Sequence, residues 1–192
     1  MRNRGYKYMI NSSNQGYLLL CINATWINLM LKDKGIVPRD FRALSYQDIA
    51  KAIPSDYTRA LFMTLKPKNF WQMCDTLALS MATYDEKDIR KIYRSKWFVK
   101  TPLFTREDVF EHLMDAEFQQ EDAIRIMEFV RRGKCKTLKL GRREFLELYN
   151  VPEDLEEAIL HCRVLPSRKE IVDIMIEIIG SALAVKESAE LE

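Results

Sequence analysis

The sequence predicts a mostly α fold, a multi-helix domain with a short N-terminal strand, and three observations carry that expectation. Only 6 glycines and 6 prolines occur in 192 residues, which favours long uninterrupted helices over a turn-rich β fold. From about residue 23 onward, apolar residues recur at helical spacing. Helix start and stop signals punctuate that pattern in series.

Residues 1–22 form a short strand-containing segment in this reading, and residues 23–192 the helical domain. The apolar run Tyr17 to Ile22 reads as a short buried strand. In the segment 24–34, Trp26, Ile27, Leu29 and Met30 lie towards one side, and Gly35 and Pro38 mark the stop. Ser45 caps a short helix that carries Ile49 and Ile53, and Ser55 caps the next, which ends before Pro67. The stretch 69–82 is apolar on most faces and reads as a central helix, while 85–95 is polar and reads as a surface helix. Thr105 opens another helix, with Glu107 and Asp108 at the positive end of its dipole and Val109, Phe110 and Met114 on its apolar side. A further helix spans about 120–132, with Ala123, Ile126, Met127 and Val130 inward and Gly133 as terminator. Pro152 is placed as the first residue of a helix, followed by Glu153 and Asp154. Ser167 and Glu170 fit a capping box ahead of the apolar run 171–185, the longest helix, and the polar tail from Lys186 is expected to fray.

The composition, 47% hydrophobic and 30% charged, is that of an ordinary globular domain. A net charge of +2 is too small to imply a nucleic-acid partner by itself. Cys21, Cys74, Cys135 and Cys162 form no C-x-x-C pair, so neither a zinc site nor a disulfide framework is expected, and scattered cysteines fit a reducing cytoplasm. The six-residue apolar run near the N-terminus is too short for a signal-peptide core or a membrane span. No membrane association is expected.

No catalytic residue, metal site or cofactor site emerges. His112 sits within a helix with no partner motif, and His161 and Cys162 are adjacent, so on a helix they point about 100° apart. There is no phosphate-binding glycine loop and no hydrolase or metalloprotease motif. One charge feature stands out. Arg131, Arg132, Lys134, Lys136, Lys139, Arg142 and Arg143 form a stretch of seven cations with no anion, at a helix end and a connection containing Gly133 and Gly141. That pattern suits a loop that contacts phosphates. A cationic helix C-terminus is equally expected from the dipole alone, and the stretch then reads as a solvated loop. A second cluster, Arg90, Lys91, Arg94, Lys96 and Lys100, alternates with Tyr93, Trp97 and Phe98, aromatics that either stack on bases or anchor the chain to the core.

Residues 105–134 resemble a segment of the fingers region of PolC-type bacterial DNA polymerase III. The family's R-D-D helix start corresponds to Arg106-Glu107-Asp108, and its A-x-x-I-M-E-x-V-R-K-G-K ending to Ala123, Ile126, Met127, Glu128, Val130, Arg131, Gly133 and Lys134, with Arg132 for the first lysine. In the same order, Thr64, Lys66, Pro67 and Phe70 resemble its T-K-P-x-x-F motif. Leu79, Ser80, Met81, Ala82 and Thr83 resemble its L-S-H-G-T nucleotide loop, and Val151-Pro152-Glu153 its V-P-E helix start. The segment NLMLKDKGIVP is similar to the helix after the palm strand, so the resemblance runs colinearly over roughly residues 17 to 175.

The departures bear on activity. The resemblance implies a metal-binding aspartate in the palm strand, and Leu18 stands at its place; the other two catalytic aspartates would lie upstream of Met1. Met81 and Ala82 replace the loop's His and Gly, and Asp75 stands where the family has arginine. Two-metal phosphoryl transfer needs carboxylates, and a leucine cannot ligate a metal. The resemblance therefore implies a fingers-like domain that is not a polymerase by itself, with a degraded nucleotide loop at Ser80, Met81, Ala82 and Thr83. Its expected partners are DNA, through phosphates, and another replication protein. The alternative is an assembly module with no nucleic-acid role, in which the run 171–185 pairs with a copy of itself or another subunit; burial of that run in the core is the simpler explanation.

Overall fold

A computed structural model of the chain describes residues 24–36, 44–81, 103–132, 141–161 and 164–190. Nine helices occur among the described residues: α1 (Ala24–Asp33), α2 (Tyr46–Ala52), α3 (Asp56–Leu65), α4 (Phe70–Met81), α5 (Arg106–Asp115), α6 (Gln120–Arg132), α7 (Arg142–Leu148), α8 (Glu153–His161) and α9 (Arg168–Glu190). No strand is present among these residues, and the strand expected at 17–22 lies outside them, as does the polar helix expected at 85–95.

Local chemistry accounts for most helix boundaries. The Ser45 hydroxyl accepts the Asp48 amide at 3.2 Å while the Asp48 carboxylate accepts the Ser45 amide at 2.9 Å, a reciprocal capping box that opens α2. Ser55 accepts the Thr58 amide at the start of α3, and Asn69 accepts the Gln72 amide at the start of α4. Pro152 precedes α8 rather than opening it: its carbonyl accepts the Glu156 amide at 2.8 Å, the bond an N-cap residue receives. The tail expected to fray is helical through Glu190, carried by good helix formers such as Ala184, Lys186 and Glu187.

Three helices end in the same way. After α1 the Ile36 amide reaches the Leu31 carbonyl at 2.8 Å and the Gly35 amide reaches Lys32 at 2.9 Å, with Gly35 left-handed at φ +71°. After α5, Phe118 bonds Leu113 and Glu117 bonds Met114; after α7, Val151 bonds Leu146 and Asn150 bonds Glu147. The left-handed residue is Glu117 in one case (φ 64°) and Asn150 in the other (φ 51°). Asparagine tolerates that conformation; glutamate carries the Cβ clash.

The helices enclose two apolar clusters. One is built from α5, α6, α7 and α8, with Leu103, Leu113, Ile126, Leu146 and Ile159 at its centre. The other is built from α1, α2, α3, α4 and α9, around Ile49, Phe62, Ala78, Val172 and Ile179. The α3–α4 pair contributes to both, Leu61 and Leu79 to the first and Phe62 and Leu77 to the second, and Phe104 packs against both. On α1 the inward residue is Leu31, whereas Leu29 is 54% exposed, against the expected grouping. The two positions lie about 200° apart on a helix, and docking by Leu31 and Ile36 turns Leu29 outward. Side-by-side packing of α9 on α2 and α4 buries Ile171, Val172, Met175, Ile176, Ile179 and Ala182. The apolar run 171–185 is therefore core through Ala182. No helix among the described residues is long and apolar enough to cross a membrane.

Two outcomes are expected of these termini. Glu117→Gly raises stability by about 0.5–1 kcal/mol in urea unfolding, because relief of the left-handed penalty exceeds the glycine's entropy cost. Asp48 titrates below the ordinary value of 3.8, chiefly because the Ser45 hydroxyl and amide bond its carboxylate. A depressed folded-state value means that the capping box contributes stability above pH 3.8 and loses it as pH falls through the lower folded value. Thermal melts of Asp48→Asn should accordingly sit below those of the parent at neutral pH, with the gap closing in acid.

Candidate nucleic-acid interface

The amphipathic helix α6 buries Ala123, Ile126, Met127, Phe129 and Val130 and ends in Arg131 and Arg132. Cations there face the negative end of the helix dipole and are favoured by it. At the other border of the cationic stretch, α7 begins with Arg142 and Arg143, where the dipole opposes them. The Glu144 carboxylate, in the same turn, accepts the Gly141 amide at 2.9 Å and supplies compensating charge. The two borders are joined by an aromatic contact. Phe129, two residues before Arg131, stacks on Phe145, two residues after Arg143, with ring centroids 3.8 Å apart and planes 20° from parallel. Tyr149 continues the row, its ring 5.0 Å from that of Phe145.

The seven cations expected to bind nucleic acid divide as follows. Arg131 and Arg132 occupy the last two positions of α6, and Arg142 and Arg143 the first two of α7. Lys134, Lys136 and Lys139 lie outside the described residues. The Arg143 side chain is 68% exposed and approaches Glu156 of α8 at 3.5 Å, a pair that contributes little in water and leaves the guanidinium able to meet another anion. The second basic cluster, Arg90 to Lys100, lies outside the described residues. Of the nucleotide-loop positions, Ser80 and Met81 are the last two residues of α4, and Ala82 and Thr83 lie outside. The Ser80 hydroxyl donates to the Leu77 carbonyl at 2.7 Å, and Met81 packs against the second cluster. Those two side chains serve the helix and the core. Leu18 lies outside the described residues.

The residues that carry the resemblance over 106–128 come together in space with one the sequence reading did not single out. Arg168 is the first residue of α9, where the dipole disfavours a cation, and its side chain is only 7% exposed. Its guanidinium donates to Asp108 at 2.9 Å and to Glu111 at 2.7 Å, and its amide donates to the Glu107 carboxylate at 2.8 Å. In return the Arg106 amide donates to the Pro166 carbonyl at 3.0 Å. The N-termini of α5 and α9 thus cap one another. Asp108 also accepts the Phe104 and Thr105 amides, each at 2.8 Å. Arg106 bonds Glu107 at 3.1 Å and reaches Glu128 of α6 at 2.9 Å. Four carboxylates and two guanidiniums therefore interlock α5, α6 and α9. Among the described residues no group of three or more acids, histidines or cysteines is disposed to hold a metal ion. The signal for Arg168 was present in the sequence as a cation directly after a Ser cap, at the wrong end of a dipole.

Cys74 is buried within α4 and forms no disulfide. His112 lies on α5, part-exposed and next in sequence to Glu111.

No protein-family model matches this chain, and no curated protein matches it at a significant level.

Removing one member of the buried charge cluster strands the others. Arg168→Met should destabilise the protein by about 3–5 kcal/mol, because Asp108 stays buried without its counter-ion and Glu111 loses its partner. By contrast, Arg59→Ala removes an exposed pair with Asp56, and that ion pair alone is worth at most about 1 kcal/mol. Denaturant midpoints of the two variants separate these cases; equal shifts would show that the cluster is not the fastening it is taken to be.

Proposed function

We propose that the chain is a non-catalytic relative of the PolC-type fingers region and binds DNA through phosphate contacts at the surface bordered by α6 and α7. The observation that supports this most is the Phe129–Phe145 stack, which joins α6 to α7, the two helices that border the cationic stretch. Cations concentrated on one surface act together on a polyanion, whereas the same charges spread along an extended chain do not. Binding of this kind is weakly sequence-specific and sensitive to salt, because each phosphate contact releases counter-ions.

The resemblance supports the replication context. Four of its residues, Arg106, Glu107, Asp108 and Glu128, are scaffold residues here, which is consistent with retention of the fold after loss of the chemistry. Leu18 at the position of a metal-binding aspartate leaves the chain unable to support two-metal nucleotide addition by itself. In this reading the partners are DNA and a second replication protein, the location is cytoplasmic, and no cofactor is required. The assembly alternative drew on the apolar run 171–185, and packing of that run through Ala182 within the fold removes its main motive.

Fluorescence anisotropy with labelled DNA at about 50 and 200 mM salt tests the proposal. Binding should be measurable at the lower concentration and fall steeply at the higher. Replacing Lys134, Lys136 and Lys139 together by alanine should flatten the logarithmic salt slope by about 3, one for each phosphate that no longer meets a lysine. Absence of binding at low salt rejects the proposal.

A further inference from the structure

The order of the helices along the chain and their sorting in space do not agree. The cluster around Leu113, Ile126 and Ile159 is built chiefly from the contiguous helices α5 to α8. The cluster around Phe62, Ala78 and Ile179 takes α1 to α4 from before that run and α9 from after it. Residues 103–166 are therefore an insertion, whose chain leaves the second cluster and returns to it. Such an insertion needs its two ends close together, and here they touch. The Arg106 amide donates to the Pro166 carbonyl at 3.0 Å, and the Arg168 guanidinium closes on Asp108 and Glu111. The change of side is abrupt: Leu103 and Leu165 belong to the inserted lobe, Ile171 to the remainder. Helices that pack side by side do so within a lobe. In the insertion α5 packs with α6 and α8, and α7 with α8; in the remainder α9 packs with α2 and α4, and α3 with α2 and α4. Among the described residues the lobes meet instead at Leu61, Leu65 and Leu79 on the α3–α4 pair, at Phe104, and at the charge cluster. A seam of a few side chains buries less apolar area than cores made of whole helix faces, so it holds less tightly.

We propose that α5–α8 is a separate cooperative unit that opens while α1–α4 and α9 stay folded, and that the Arg168 cluster is the clasp that suppresses this opening. The inference stands apart from the DNA-binding reading. At about 60 residues the insertion is of a size at which a chain can hold a core of its own. Its loss does not unseat α9. With the insertion unfolded, α9 closes a flexible loop onto α2 and α4, and the entropy cost of such a loop grows only with the logarithm of its length. The clasp acts on the insertion because its buried acids, Glu107 and Asp108, both sit in the first turn of α5. When Arg168 withdraws, those carboxylates must reach water or stay buried without a counter-ion, so the clasp is either shut or open. Opening also uncovers Leu61 and Leu79 on the remainder of the chain.

Hydrogen exchange of the full chain, read amide by amide at urea concentrations below the unfolding transition, tests this. Two sets of helix-interior amides are compared: Leu113, Ile126 and Ile159 in the insertion, and Phe62, Ala78 and Ile179 in the remainder. In the parent, the first set should exchange through an opening that lies below that of the second and depends less on urea, because it exposes less surface. Arg168→Met should speed exchange of the first set by on the order of a hundredfold, the cost of stranding a buried charge, and leave the second set near its parent rates. A single opening shared by both sets in the parent overturns the inference. Equal acceleration of both sets in Arg168→Met also overturns it, since the cluster would then serve one indivisible core. Should Arg168→Met lose the slow amides of both sets because it does not fold, Glu111→Ala replaces it. That variant removes one anion and leaves Arg168 paired with Asp108. Faster exchange confined to the first set supports the clasp, and unchanged or uniformly faster exchange counts against it.

Discussion

Everything else in this molecule is arranged around the mutual capping of two helix N-termini. The α5 and α9 helices present their positive ends to each other, an arrangement that repels unless anions intervene. Glu107, Asp108 and Glu111 supply the anions, and Arg168 makes the set close by neutralising part of them from the first position of α9. Each terminus also satisfies an orphan amide of the other, Arg106 on Pro166 and Arg168 on Glu107. A cluster this buried contributes little net stability against apolar side chains of equal volume. What it imposes is register, since a slip of α9 against α5 would leave a guanidinium and two carboxylates buried apart from one another.

That register links the two halves of the fold. The α9 helix belongs to one apolar cluster and α5 to the other, so the charge cluster and Phe104, together with the α3–α4 pair, fasten the two clusters among the described residues. It also reaches the candidate interface. Arg106 carries the network to Glu128 in the middle of α6, and one residue further Phe129 meets Phe145 of α7. A chain of contacts thus runs from a buried charge to the helix end that bears Arg131 and Arg132.

Local structure is most legible in the sequence where a single side chain decides the outcome. The Ser45–Asp48 box, the Ser55 cap, the stop before Pro67 and the inward face of α6 all follow from chemistry within one helical turn. Local structure is less legible where one element meets another. Leu29 has the same hydropathy as Leu31, and only the docking direction of α1 places one outside and the other inside. Leu113 is wholly buried on α5 because α6 and α8 pack against that side. Glu107 and Asp108 read as dipole residues, which they are, but nothing in their spacing reveals a guanidinium about sixty residues downstream. The candidate interface shows the same division: the cations were legible as a run of charge, while the aromatic stack between the two helices that border it was not.

The amino-acid order by itself determined that this chain is helical, where most of its helices start and stop, and that seven cations with no intervening acid run from the end of one helix to the start of the next. Those properties depend on backbone dihedrals, caps and periodicity, which act over a few residues. Tertiary structure alone decided that Arg168 is buried, that the helices sort into two clusters, and that Phe129 stacks on Phe145. Each of these joins residues far apart in the chain, and the free energy of such contacts resides in desolvation and charge pairing that exist only once both partners are in place.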